Sequence, residues 1–228
     1  MILMEINRYF DAAVLKPDMT EEQARDAIAQ AIAAESYSVC VRGCDIELAM
    51  EMTKGTNTIV SCVLDFPYGY GGAEAKRALA AIYCGQGAKE LDMVMSYGYA
   101  RGGRWDVVER EIKGVAEEAH RHGALVKVIF ETSQLTVEQI RQATEISIQA
   151  GADFVKTSTG FNGEGATQEG VQAMLETAKG RIKVKPSGGI RNYETAKKFI
   201  DMGVDRLGIG FSSAGIIVKG QGESGEAY

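Results

Sequence analysis

Four ionisable residues stand inside stretches that otherwise read as apolar strands. Asp92 lies within ELDMV and Lys127 within LVKVIF, while Lys156 ends ADFVK and Lys185 ends IKVK. A charge in such a setting costs on the order of several kcal/mol unless it is paired or used. One such residue is commonplace, but four on consecutive strands call for a reason. A lysine at the end of a buried strand can lose its proton, because low-dielectric surroundings disfavour the ammonium form. A neutral amine attacks carbonyl carbon and forms a Schiff base. Read alone, Lys156 would simply mark a strand end pointing into solvent; its partners change that reading.

Neighbouring strands lie about 4.8 Å apart, so inward-pointing Lys156 and Lys185 on strands six and seven would come close together. Two like charges at that range disfavour double protonation. Asp92 and Lys127 fall on the adjoining pair of strands and have two readings. They form a buried salt bridge filling the interior, or Asp92 transfers protons through a water while Lys127 fixes its orientation and charge. The residues alone leave both open.

The positioning elements follow from hydrophobic periodicity. Predicted strands at 10–13, 38–41, 58–64, 90–94, 125–130, 152–156, 182–185 and 206–209 alternate with amphipathic helices. Thr20-Glu21-Glu22-Gln23 and Thr136-Val137-Glu138-Gln139 read as capping boxes, and Asn192 as a helix cap. Short links between alternating elements argue for a parallel α/β organisation. An open doubly wound sheet competes with a closed (β/α)8 TIM barrel. The barrel is preferred because the strand count is eight and the polar residues gather at the carboxyl ends of strands. No linker interrupts the alternation, so residues 1–228 read as one domain with a Gly-rich, mobile tail at 220–228.

Two glycine-rich turns follow strands seven and eight, Ser187-Gly188-Gly189-Ile190-Arg191 and Gly208-Ile209-Gly210-Phe211-Ser212-Ser213. At those places in a barrel, backbone N–H groups and a helix N-terminus hold phosphate. Gly208-x-Gly210 has too little chain after it for a dinucleotide-binding unit.

Composition excludes other classes. The chain has 228 residues, 45% hydrophobic and 25% charged, with a net charge of −6. That suits a packed core and carries no basic footprint for nucleic acid. No apolar run approaches the ~20 residues of a membrane span, and the start lacks a secretory pattern. Cys40, Cys44, Cys62 and Cys84 read as buried, reduced thiols of a cytoplasmic protein. His120 and His122 read as a solvated helix end, so no metal or other cofactor is expected.

With Val155-Lys156-Thr157-Ser158-Thr159-Gly160, Gly165-Ala166-Thr167, Leu91-Asp92-Met93-Val94, 127–132 (KVIFET), Phe66-Pro67-x-Gly69 and 185–191 (KPSGGIR), the chain resembles the 2-deoxyribose-5-phosphate aldolases. These matches span about 10–213. The resemblance implies a class I aldolase on a (β/α)8 barrel. It implies that Lys156 forms the Schiff base with acetaldehyde, that Lys185 tunes it, and that Asp92 relays protons with help from Lys127. Asp11 matches the family aspartate and is expected among the substrate- and phosphate-binding residues. Thr159, Gly160, Gly188, Gly189, Arg191, Gly210, Ser212 and Ser213 fall in the turns that hold the sugar phosphate, and Tyr228 matches a terminal tyrosine that reaches the site in some members. The chain departs from the pattern at Ala13, where threonine is common, at Phe161, where some members place a phosphate-binding lysine, and at Asp65, which replaces a small residue.

The reading that follows is reversible cleavage of a phosphosugar to glyceraldehyde 3-phosphate and acetaldehyde, with the C3–C4 bond expected to break as the C3 hydroxyl loses its proton. Partners are small phosphosugar and aldehyde substrates and further copies of the chain in a dimer or tetramer, with neither nucleic acid nor membrane. The rivals are another phosphosugar barrel enzyme, such as an epimerase or a different-donor aldolase, and a non-catalytic sugar-phosphate sensor.

Overall fold

The computed structural model describes residues 5–220. Eight strands run parallel in one sheet: β1 (Phe10–Val14), β2 (Ser38–Val41), β3 (Ile59–Leu64), β4 (Glu90–Val94), β5 (Leu125–Ile129), β6 (Phe154–Lys156), β7 (Lys183–Lys185) and β8 (Leu207–Gly210). Each strand pairs with its neighbour in sequence from β1 to β7, and β8 lies beside β1. Hydrogen bonds from Asp205 N to Val184 O (3.0 Å) and from Gly208 N to Pro186 O (2.9 Å), with a parallel bridge between Ser187 and Gly208, close the seam between β7 and β8. The sheet is therefore a closed (β/α)8 barrel. A doubly wound sheet would keep two open edges and a reversal of strand order.

Period-two alternation explains how each strand serves two environments. Outward residues such as Val39, Val41, Leu91, Met93, Val126 and Val128 join the apolar helix faces in one continuous core. The intervening positions bury Asp11, Ser38, Ser61, Glu90, Asp92 and Lys127. The interior of the barrel is thus largely polar, and the hydrophobic core is the shell between sheet and helices.

That shell is made by α1 (Glu21–Ala33), α2 (Ile46–Met52), α3 (Ala73–Gly85), α4 (Tyr97–Arg101), α5 (Trp105–Arg121), α6 (Val137–Gln149), α7 (Gln168–Ala178), α8 (Tyr193–Asp201) and α9 (Phe211–Val218). Thr20 with Gln23 and Thr136 with Gln139 form reciprocal capping boxes, and Asn192 accepts from Thr195 N. Two helices escape the sequence pattern. α4 is only five residues long, and α9 follows β8 directly with Gly210, which has no capping side chain, at its N-cap.

A second buried polar group lies outside the barrel. Lys76 on α3 donates to Glu111 Oε2 on α5 (2.7 Å) and to Gly69 O (2.9 Å). Glu111 accepts in turn from Ser96 N (2.5 Å) and Ser96 Oγ (2.7 Å). With a longer ion pair from Lys76 to Asp65 (3.6 Å), this group ties the loops after β3 and β4 to the helices beneath them. Breaking a buried pair by removing one partner strands the other charge. Glu111→Ala is expected to cost about 3–5 kcal/mol in urea unfolding; a loss below ~1 kcal/mol, the worth of an exposed pair, would contradict this assignment.

Candidate active site

The side chains singled out on β4 to β7 converge on one carboxylate. Asp92 faces Lys127 in the register of β4 and β5, and Lys156 faces Lys185 in that of β6 and β7. Asp92 Oδ1 accepts from Lys127 Nζ at 2.8 Å. Its Oδ2 accepts from both Lys156 Nζ (2.8 Å) and Lys185 Nζ (2.7 Å). Lys185 also donates to Asp11 Oδ2 at 2.5 Å. Beneath them, Arg206 donates to Asp11 Oδ1 (2.7 Å) and to Glu90 (3.1 and 3.3 Å), and Lys127 is ion-paired with Glu90. The set holds three carboxylates (Asp11, Glu90, Asp92) and four basic side chains (Lys127, Lys156, Lys185, Arg206), so full ionisation leaves one cation in excess.

Burial by itself pushes the carboxyls up and the amines down, and the cluster reverses both. Burial raises the Asp92 carboxyl, but Lys127, Lys156 and Lys185 outweigh it and hold the group well below its ordinary range. Against the same burial, Lys127, Lys185 and Arg206 hold Asp11 low. Burial disfavours the Lys127 ammonium, yet Asp11, Asp92 and Glu90 keep it well above the ordinary lysine value. Asp92 is therefore a lasting anion tied on both oxygens.

Several expected placements change. Asp11 does not sit among the phosphate-facing turns. It is buried under Lys185, with Ser38 donating to it at 2.7 Å, and belongs to the charge cluster. The two amines Lys156 and Lys185 do adjoin, but a carboxylate oxygen lies between them, so their repulsion is not bare. Of the four thiols, Cys40, Cys62 and Cys84 are buried while Cys44 is exposed. His120 is more than a solvated end, as its Nε2 lies 2.9 Å from Asp153 Oδ2. Tyr228 and the tail beyond Gly220 lie outside the described residues.

The glycine turns do come together. Gly188 has φ +85, and a side chain there would run into Gly165 Cα (2.9 Å) and approach Gly160 Cα (3.5 Å). A residue with a Cβ fits neither that conformation nor that space. Gly189 and Arg191 are exposed beside this contact, and Gly210 leads into the first turn of α9, where Ser212 and Ser213 stand. Thr159, by contrast, is turned away, with its N–H and hydroxyl on Glu131. The opposite side of the mouth is apolar. Ala13, Leu15, Cys40, Val63 and Phe66 pack together, Phe161 meets Phe66 edge-on at 5.1 Å, and a cavity of about 490 Å³ opens beside them. Asp65 staples its own loop by accepting from Gly71 N at 2.8 Å.

Sequence reasoning missed Glu90, Arg206 and Glu131. Glu90 was legible in part, since two residues before Asp92 it shares that residue's face of the strand. Arg206 begins the last predicted strand and shows its role only when the barrel closes.

This is the equipment of a barrel enzyme that works through a lysine. The pattern of the DeoC/LacD family aldolases matches residues 6–216. A protein of an Exiguobacterium species named deoxyribose-phosphate aldolase is 42% identical over 226 residues, 99% of this chain and the whole of that protein. One from Aquifex aeolicus with the same name is 39% identical over 95% of each chain. Among solved structures, the aldolase QR15 superposes with a TM-score of 0.88 at 39% identity, covering 95% of this chain and 97% of its own. A deoxyribose phosphate aldolase from Aeropyrum pernix, described as tetrameric, gives 0.86 at 29% identity over 94% of this chain and 89% of its own. The chain belongs to the DeoC/LacD family of aldolases.

Asp11 and Asp92 bind protons less readily folded than unfolded, so they stabilise the fold above about pH 4, and that contribution is lost as pH falls through their depressed folded values. Urea unfolding between neutral and strongly acid pH should show stability falling in acid, and Asp11→Asn should shallow that slope. An unchanged slope would contradict the direction assigned to Asp11.

Proposed function

We propose that the chain reversibly cleaves 2-deoxy-D-ribose 5-phosphate to D-glyceraldehyde 3-phosphate and acetaldehyde, with Lys156 as the Schiff-base nucleophile. The observation that carries this reading is the sharing of Asp92 Oδ2 between Lys156 and Lys185 at the carboxyl ends of β6 and β7. A proton leaving Lys156 passes along a short hydrogen bond to Asp92 Oδ2 and from there to solvent, since the Lys185 ammonium on the same oxygen has no lone pair to take it. With one proton gone, the cluster carries no net charge.

Neutral Lys156 adds to C1 of the open-chain sugar and loses water, giving an iminium. The bond that breaks is C2–C3, which corrects the C3–C4 cleavage expected above. Only the electron pair of C2–C3 lands on the carbon next to the iminium, where it becomes an enamine. The C3 hydroxyl gives up its proton as C3 becomes the carbonyl of glyceraldehyde 3-phosphate. Asp92, through a water, takes this proton, while the Lys185 ammonium beside it can only donate and stands ready to return one to the enamine. The enamine is then protonated on carbon and hydrolysed, releasing acetaldehyde and restoring the amine.

Lys127 acts from below. By taking Oδ1 of Asp92 it leaves Oδ2 to the two upper lysines. We assign the phosphate to the turns carrying Gly160, Gly188, Gly189, Arg191, Gly210, Ser212 and Ser213, supported by the contact of Gly160 with Gly188 and by the start of α9. Residues 1–228 act as a single domain in this reading. A homo-oligomer is favoured by the tetrameric Aeropyrum pernix relative, and a cytoplasmic location by the buried free thiols. Among the described residues no helix is long and apolar enough to cross a membrane.

Incubation with acetaldehyde and borohydride should add one ethyl group to Lys156, and Lys156→Ala should abolish both adduct and turnover. An epimerase would give no adduct, and a sensor would bind the phosphosugar without turning it over. Lys185→Leu is expected to lower kcat by ~10²–10⁴-fold, the usual worth of a proton-handling group. A loss below tenfold in a coupled assay of glyceraldehyde 3-phosphate release would remove Lys185 from the chemistry.

A further inference from the structure

Glu131 lies just beyond β5, buried, with its backbone in the left-handed region (φ 57, ψ 64). Side chains rarely adopt that conformation, and the local pairing explains it. Phe130 N donates to Lys156 O (3.0 Å) and Thr132 N to Thr157 O (3.0 Å). A regular parallel ladder skips one carbonyl between such bonds, whereas here two successive carbonyls are used. The turn at Glu131 takes up the mismatch and aims its side chain at the segment after β6.

That carboxylate gathers three donors. Thr159 N reaches Oε1 at 3.2 Å, Thr159 Oγ1 makes a short hydrogen bond to Oε2, and Asn162 Nδ2 lies 3.3 Å from Oε2. The same Asn162 amide donates to Pro67 O at 3.1 Å, in the loop after β3. Phe161 N donates to Thr159 Oγ1 at 3.1 Å, and its ring meets Phe66. One buried carboxylate thus joins the loops that follow β3, β5 and β6.

We propose that Glu131 is a positioning residue that sets the 159–162 loop for the phosphate end of the substrate. This rests on the aldolase reading. Thr159 precedes Gly160, which packs on Gly188, so a displaced Thr159 shifts the contact between the two glycine turns. Lys156 is fixed independently by strand pairing and by Asp92. Loss of the clamp should therefore weaken phosphosugar binding and spare Schiff-base formation.

Two variants test this. Glu131→Gln keeps the shape but sets a donor against the donors of Thr159 or Asn162, and Glu131→Gly removes the clamp while relaxing the backbone, so a folding defect in one does not decide the matter. Both are expected to raise KM for 2-deoxyribose 5-phosphate by about tenfold, the worth of one or two hydrogen bonds. KM for unphosphorylated 2-deoxyribose should stay within about twofold, and acetaldehyde trapping at Lys156 should persist. An unchanged KM for the phosphosugar, an equal rise for both sugars, or loss of trapping in both variants would overturn the proposal. No adduct in the unmodified enzyme would overturn the aldolase reading first, and this one with it.

Discussion

A single oxygen atom, Oδ2 of Asp92, holds two lysine amines inside a closed barrel, and the rest of the site is arranged around that constraint. Buried ammonium groups need a counter-charge, and buried carboxylates need donors on every lone pair. Asp92 meets both demands only because three strands present lysines to it from β5, β6 and β7. Glu90, Asp11 and Arg206 continue the same network beneath, so the charge is spread through the interior instead of resting on one pair.

The arrangement makes the site asymmetric. Below Asp92, Lys127 is enclosed by three carboxylates from β1 and β4, and its charge is locked. Above it, Lys156 and Lys185 share one oxygen at the end facing the mouth. Apolar residues line one side of that mouth, and glycine turns with the start of α9 form another. In the proposed reading the glycine-turn side takes the phosphate, and the aldehyde end of the sugar reaches down to the amines.

Much of this was legible in the sequence, because the strands alternate so strictly. Lysines and an aspartate in apolar strands stand out, and the register then determines who meets whom. The eight strands and both capping boxes follow from local pattern alone, while the closed order was preferred over a doubly wound sheet on strand count and the placement of polar residues. What stayed hidden depends on closure. Arg206 acquires its partners only when β8 comes to lie beside β1, and Asp11 shows its depth only when Lys185, 174 positions away in sequence, reaches it. Glu131 was passed over because its importance lies in a left-handed backbone and a mismatch in strand pairing, which residue types do not announce. α9, FSSAGIIV, is apolar at most positions and follows β8 without a connecting loop, so no amphipathic pattern set it apart.

The proposed chemistry depends on Asp92 Oδ2 holding Lys156 where it can react, with Lys185 on the same oxygen. The rate at which acetaldehyde is trapped on Lys156 by borohydride in Asp92→Asn tests this most directly. The adduct should form roughly 10²-fold or more slowly than in the unchanged chain, the usual worth of a proton-handling group. Trapping at an unchanged rate would contradict it.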